Sequence, residues 1–240
     1  MEDDTMPDNG IFKGFTPQAP AFLAELAMNN NKTWFEEHRA QYKALIYRPM
    51  ELLVMALTPT LLEIDHRIET TPRKCISRIH RDTRFSKDKS PYRSNCWLTL
   101  RRPLLEWQDN PCFFFEVTPV GYRYGMGFYA AERETMAKLR ALIDHDRKAF
   151  RKAISFHDSG RFALEGDDYK RVINPQVPED ILPWYQKKNF YLACNRNFDD
   201  RLWSEGILED LCSGFKELAD FYHYLLDLKQ YDLRELLLRN

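Results

Sequence analysis

Cys112-Phe113-Phe114-Phe115-Glu116-Val117-Thr118-Pro119-Val120-Gly121-Tyr122-Arg123-Tyr124-Gly125-Met126-Gly127-Phe128-Tyr129 is the stretch that decides the fold. It is dense in aromatic residues, which pack well on a pleated, half-buried surface. Pro119-Val120-Gly121 interrupts it with turn formers. Three residues are too few for a parallel crossover, so 112–118 and 122–129 are expected to pair as an antiparallel hairpin. Gly125-x-Gly127 lies inside a strand and opens no helix. It therefore reads as a place where strands approach closely, not as a dinucleotide-binding turn.

Outward from the hairpin, 95–100 reads as a further strand, and 162–164 and 190–194 as short ones. The flanking segments change to a period of three to four, which is the helical signal. Thr16-Pro17 has the form of a helix start, a capping hydroxyl followed by proline. Phe22, Leu23 and Leu26 form its apolar stripe, and Asn29-Asn30-Asn31 stops it. Thr33 and Glu36 have capping-box spacing for a second helix, with Trp34, Phe35, His38 and Tyr42 on its inner side. Pro49 ends or kinks that helix, and a third runs on to Ile64. One long helix is expected over 132–156, and one or two more over 199–238. With no internal repeat, this predicts a single α+β domain over 15–240, an antiparallel sheet covered by helices, behind a disordered leader, 1–14.

Composition narrows the function classes. The 240 residues are 44% hydrophobic and 30% charged, with net charge −1. That balance argues against a general nucleic-acid or membrane-surface binder, and no uninterrupted apolar run nears the roughly 20 residues of a membrane helix. The acidic start, Met1-Glu2-Asp3-Asp4, is unlike a signal peptide. Cys75, Cys96, Cys112, Cys194 and Cys212 are odd in number and form no C-x-x-C pair. Free, mostly buried thiols and a cytoplasmic location are expected. His38, His66, His145, His157 and His223 lie apart without ligand spacing, so no metal is expected.

Charge concentrates in one place. Residues 73–93, R-K-C-I-S-R-I-H-R-D-T-R-F-S-K-D-K-S-P-Y-R, hold eight basic side chains against two acidic ones. The segment carries +6, so the other 219 residues sum to −7. Such a cluster needs negative charge among it. Read as a strand, 76–84 puts Arg78, His80, Asp82 and Arg84 on one face; Ile79, Arg81 and Phe85 take the other, leaving Arg81 half-buried and in need of a carboxylate such as Asp82 or Glu116. Read as a helix, positions 78, 81, 82, 85, 89 and 92 share a face, although Pro91 disfavours that geometry at Ser90.

Three readings of the cluster remain open. It is an internal ion-pair network closed by Asp82, Asp88 and distant acids such as Glu36, Glu37 or Glu116. Alternatively, Arg78, Arg81, Arg84 and Lys89 hold a small phosphate- or carboxylate-bearing ligand, with Tyr92 and Phe85 as a wall. The third, a nucleic-acid contact, is less favoured for want of a wider basic field. Catalysis would need an acid or base, for which Asp82, Glu116 and His80 are the candidates. No complete catalytic signature is present, and the sequence leaves the oligomeric state open.

The same residues carry a family resemblance. Arg78-x-x-Arg81-Asp82-x-Arg84-Phe85-x-x-Asp88-Lys89-x-x-Tyr92 resembles the signature of the domain of unknown function 2461 family. Phe22-Leu23-x-x-Leu26 with the Asn-rich turn and Trp34-Phe35, Gly125-x-Gly127-Phe128-Tyr129, and Leu139-Arg140-x-x-Ile143 are similar to it too. The likeness spans 15–191; Ala130-Ala131 departs from it where relatives have proline. It implies a soluble, single-domain α+β protein with no known cofactor.

Overall fold

The aromatic stretch folds as two eight-residue strands. In the computed structural model, which describes residues 10–84 and 87–232, β2 (Pro111–Thr118) and β3 (Gly121–Phe128) pair antiparallel from Pro111↔Phe128 to Thr118↔Gly121. β1 (Cys96–Leu100) flanks β2; beyond β3 lie β5 (Tyr191–Arg196) and then β4 (Ala163–Glu165). Every pairing is antiparallel, in the order β1-β2-β3-β5-β4.

Alternation along the strands sorts the two faces. Leu98, Phe113, Phe115, Tyr124, Met126 and Leu192 are fully buried on one. Trp97, Thr99, Phe114, Arg123 and Tyr191 point to the other and are only half-buried. Gly125 and Gly127 lie on that second face. A Cβ at Gly125 would overlap the carbonyl oxygen of Leu192, and one at Gly127 the Cα of Tyr191. The strands can close to pairing distance only because both positions lack a side chain.

Helices cover the first face. α1 (Gln18–Met28), α8 (Gly206–Glu217) and α9 (Ala219–Leu228) rest on β2 and β3, and α3 (Arg48–Ile64) packs on α8. α2 (Lys32–Tyr42) runs through a π-helical turn, Lys43–Tyr47, into α3, and Pro49 sits in the first turn of α3. Lys32–Ile64 is long and apolar enough as a unit to cross a membrane. Met50, Leu53, Val54, Leu57 and Leu61 are fully buried in the protein core, however, which accounts for that apolarity.

Some local expectations are corrected. Thr16 provides no side-chain cap to α1, which starts from Pro17. Asn31 caps α2 by accepting from the Trp34 amide at 3.0 Å, two residues ahead of the expected Thr33 box. The single helix expected over 132–156 is two, α5 (Arg133–His145) and α6 (Arg147–Ala153), followed by a short 3-10 segment, Ser155–Ser159. Asp146 breaks it, its carboxylate capping the second piece at the Ala149 amide, 2.8 Å away. Of the expected leader, residues 1–9 lie outside those described, while Phe12 is buried against Phe15. The end of the last expected helix, 233–238, is likewise outside them.

All five cysteines are free; four are buried and Cys212 is half-buried. Burial pushes the thiols of Cys75, Cys96 and Cys112 up to about 12, so little thiolate exists there near neutrality. Thiol titration of unreduced protein at pH 8 is expected to find five groups after denaturation and one or none promptly reactive in the native state. Fewer than five after denaturation would reveal a disulfide.

Candidate functional site

The basic segment is built as a loop folded back on itself. After α4 (Pro72–Cys75), Ile76 bridges to Leu98 at the sheet edge. The chain then runs extended and returns: the Arg81 amide donates to the Pro91 carbonyl at 2.9 Å, and the Arg93 amide to that of Ile79 at 2.8 Å. His80 faces Tyr92 across this narrow ribbon. Neither the continuous strand nor the helix forms, but the strand's alternation survives. Arg78, His80, Asp82 and Arg84 are exposed, Ile79 is buried, and the Arg81 side chain is 25% exposed. Phe85 lies outside the described residues.

Tyr92 anchors the ribbon. It is 2% exposed, stacked on Phe35 with ring centroids 4.1 Å apart. The Asn30 side chain accepts from its amide at 2.9 Å and donates to its carbonyl at 3.0 Å. Tyr92 is thus a core residue and not the pocket wall its place in the signature suggested.

The charges divide unevenly. Arg81 pairs with Asp88 at 3.1 Å, in place of the expected Asp82 or Glu116. Asp82 instead accepts both prongs of Arg84, at 3.0 and 2.7 Å. Lys89 Nζ donates to the Thr83 carbonyl at 2.7 Å. Among the described residues, Glu36, Glu37 and Glu116 pair with no arginine of this segment; Glu36 holds Arg39 and Glu116 holds Arg123. Arg78 and Arg93 have no carboxylate within ion-pair distance among the described residues. Arg93 lies over the Trp97 ring at 4.7 Å, its buried Nε without a hydrogen bond.

Arg78, His80, Arg81, Asp82, Arg93 and Trp97 line a cleft of about 350 Å³. Arg78 and His80 also border a depression of about 680 Å³ that brings in Arg39, Lys43 and Arg73. On the other side, Arg93 and Trp97 border a cavity of about 310 Å³ on the open sheet face. Its polar centre is Glu116, buried and held by Asn95 Nδ2 and, at 2.5 Å, by Arg123 Nε.

The three acid–base candidates do not converge. Asp82 and His80 border the loop cleft, whereas Glu116 lies in the sheet cavity. Hydrogen bonds from Arg84 hold the Asp82 carboxyl at about 2, so it is ionised at neutral pH and cannot donate a proton there. The His80 ring lies beside the stacked Tyr92 and Phe35 rings, with centroids 5.1 and 6.3 Å away. No group of three His, Cys, Asp or Glu side chains is placed to hold a metal among the described residues.

Sequence reading missed Arg93, Asn95, Trp97 and Arg123 as site residues. One signal was available: once the hairpin turn is placed, its register sets Glu116 opposite Arg123, an opposite-charge cross-strand pair.

The family described as Conserved hypothetical protein (DUF2461) matches residues 18–224, and the chain belongs to it. No curated protein matches the sequence.

Proposed function

We propose that the chain binds a small phosphate- or carboxylate-bearing ligand in the loop cleft. The supporting observation is that Arg78 and Arg93 flank the cleft with no carboxylate partner among the described residues, and one buried Arg93 nitrogen has no acceptor. Two guanidinium groups in that state favour an anion between them. Arg81 contributes at the inner wall; Arg84 and Lys89 form an outer rim already satisfied by Asp82 and Thr83. Since the three acid–base candidates do not converge on one cavity, binding and not turnover is the function proposed. The scattered free thiols support a reducing compartment such as the cytoplasm.

A second reading is a non-catalytic interaction module whose cluster is structural. The Arg81–Asp88 and Arg84–Asp82 pairs favour it for those two arginines. Thermal unfolding with added phosphate, pyrophosphate or citrate separates the two. A ligand at a hundredfold excess over its dissociation constant adds about 2.7 kcal/mol, roughly 5–10 °C for a chain of this size. Arg78→Ala and Arg93→Ala are expected to abolish that rise, and Arg84→Ala to keep most of it. No rise in the parent protein with any of the three anions leaves only the module.

A further inference from the structure

We infer that the cavity on the open sheet face is the second compartment of the same site and that the ligand is a nucleotide, its base on the sheet and its phosphate in the loop cleft. This rests on the anion reading above. The two depressions share Arg93 and Trp97 as lining residues and so adjoin, and in this reading one molecule bridges them. Their chemistry differs. The loop cleft is bordered by three arginines and one already-paired carboxylate. The sheet cavity is walled by Trp97, Phe114 and Tyr191, with the buried Glu116 at its centre. Aromatic faces take a planar ring, and the guanidinium planes of Arg93 and Arg123, which lie over Trp97 and over Phe114 and Tyr191, extend that stacking surface.

Glu116 decides what kind of ring. Each of its oxygens accepts one hydrogen bond, from Asn95 and from Arg123, and a carboxylate has about four acceptor sites. The remaining lone pairs call for N–H donors, as amino-bearing heterocycles supply. Glu116 is already paired with Arg123, so it is the aromatic wall that assigns the base to this compartment and the arginines of the loop cleft that take the phosphate. A cavity of about 310 Å³ is at the low end for small-molecule sites, suited to one base and not to a run of stacked ones. Glu165, near Arg123 at 3.9 Å, adds a second carboxylate on this side of the sheet, which a polyanionic strand would have to pass. A mononucleotide fits this charge pattern better than a single strand.

Calorimetric titration of the full chain with inorganic phosphate, ribose 5-phosphate, the four ribonucleoside 5′-monophosphates, adenosine and a ten-residue single-stranded RNA tests it. At least one monophosphate is expected to bind ten or more times tighter than ribose 5-phosphate, the gain from base stacking. Thr99→Phe, which puts a ring into the sheet cavity, is expected to remove that advantage. Arg78→Ala should weaken every phosphate-bearing ligand alike. If phosphate binds and no nucleotide exceeds ribose 5-phosphate, the nucleotide is wrong and anion binding stands. If no phosphate-bearing molecule binds, the nucleotide falls, and the anion reading falls with it when citrate gives no thermal rise either. RNA binding without a preferred monophosphate overturns the inference in favour of a strand.

Discussion

Tyr92→Ala is expected to cost about 3–5 kcal/mol, the usual penalty for deleting a buried aromatic ring from a packed core. Against a domain stability of about 5–15 kcal/mol that is a large fraction, equivalent to a fall of roughly 6–20 °C in melting temperature. The ring is 2% exposed and stacked on Phe35, so little water can refill the space it leaves. Tyr92→Phe keeps the stack and is expected to stay near the parent. Urea unfolding followed by fluorescence measures both. The alanine variant should also lose its response to phosphate, although Tyr92 does not itself line the cleft. The main-chain bonds to Asn30 and the bridge to His80 survive the substitution, but the ring that packs on Phe35 and fixes the ribbon against the core, with Arg78 and Arg93 at the cleft, is gone. A loss below about 1 kcal/mol with the phosphate response intact would mean that the ribbon is held by other contacts.

That expectation differs from what the signature alone suggests, and the reason is physical. Periodicity in a sequence reports which side chains alternate between water and core, and here it reads correctly. The hairpin over 112–129 forms, and Arg78, His80, Asp82 and Arg84 face outward as strand parity requires. Periodicity does not report where an extended chain turns back. The partner of Arg81 is Asp88 because the segment doubles over between them, bringing Pro91 to Arg81 and Arg93 to Ile79. The same fold-back moves Tyr92 inward and leaves Arg93 beside Trp97. Arg93 was counted only as part of the local charge, since nothing in its immediate neighbours marks it as facing the cleft. Competition at helix ends is similarly hard to read. Asn31 and Asp146 act as caps because their short polar side chains reach nearby amides, which interrupts or advances a helix that apolar spacing would place elsewhere.

A buried ion-pair network of a different membership lies outside the basic segment. Asp210 on α8 is 8% exposed and accepts from Tyr124 Oη at 2.6 Å, Arg201 at 2.8 Å and Arg161 at 3.0 Å, while Arg161 also reaches Glu217 at 3.1 Å. These residues span 124 to 217 and share no local pattern, so no window of sequence gathers them. Burial, and then the bond to Asp210, raise the pKa of the Tyr124 hydroxyl, keeping it a donor through the neutral range. Asp210→Ala therefore leaves Arg161, whose side chain is only 17% exposed, with Glu217 as its remaining carboxylate, and leaves β3, α8 and the segment before β4 without their common acceptor. The expected cost is about 3 kcal/mol, the low end for breaking a buried pair from one side, because Glu217 still neutralises Arg161. Arg201→Ala removes a partner that is 55% exposed and should cost about 1 kcal/mol or less. Denaturant midpoints of the two variants give the comparison; equal, small losses would show Asp210 to be solvated and the network dispensable. Because Tyr124 lies on the covered face of the sheet and the cleft adjoins the open one, Asp210→Ala should lower stability while leaving phosphate affinity unchanged. Tyr92→Ala should lose both, and that contrast separates what holds the domain together from what shapes its site.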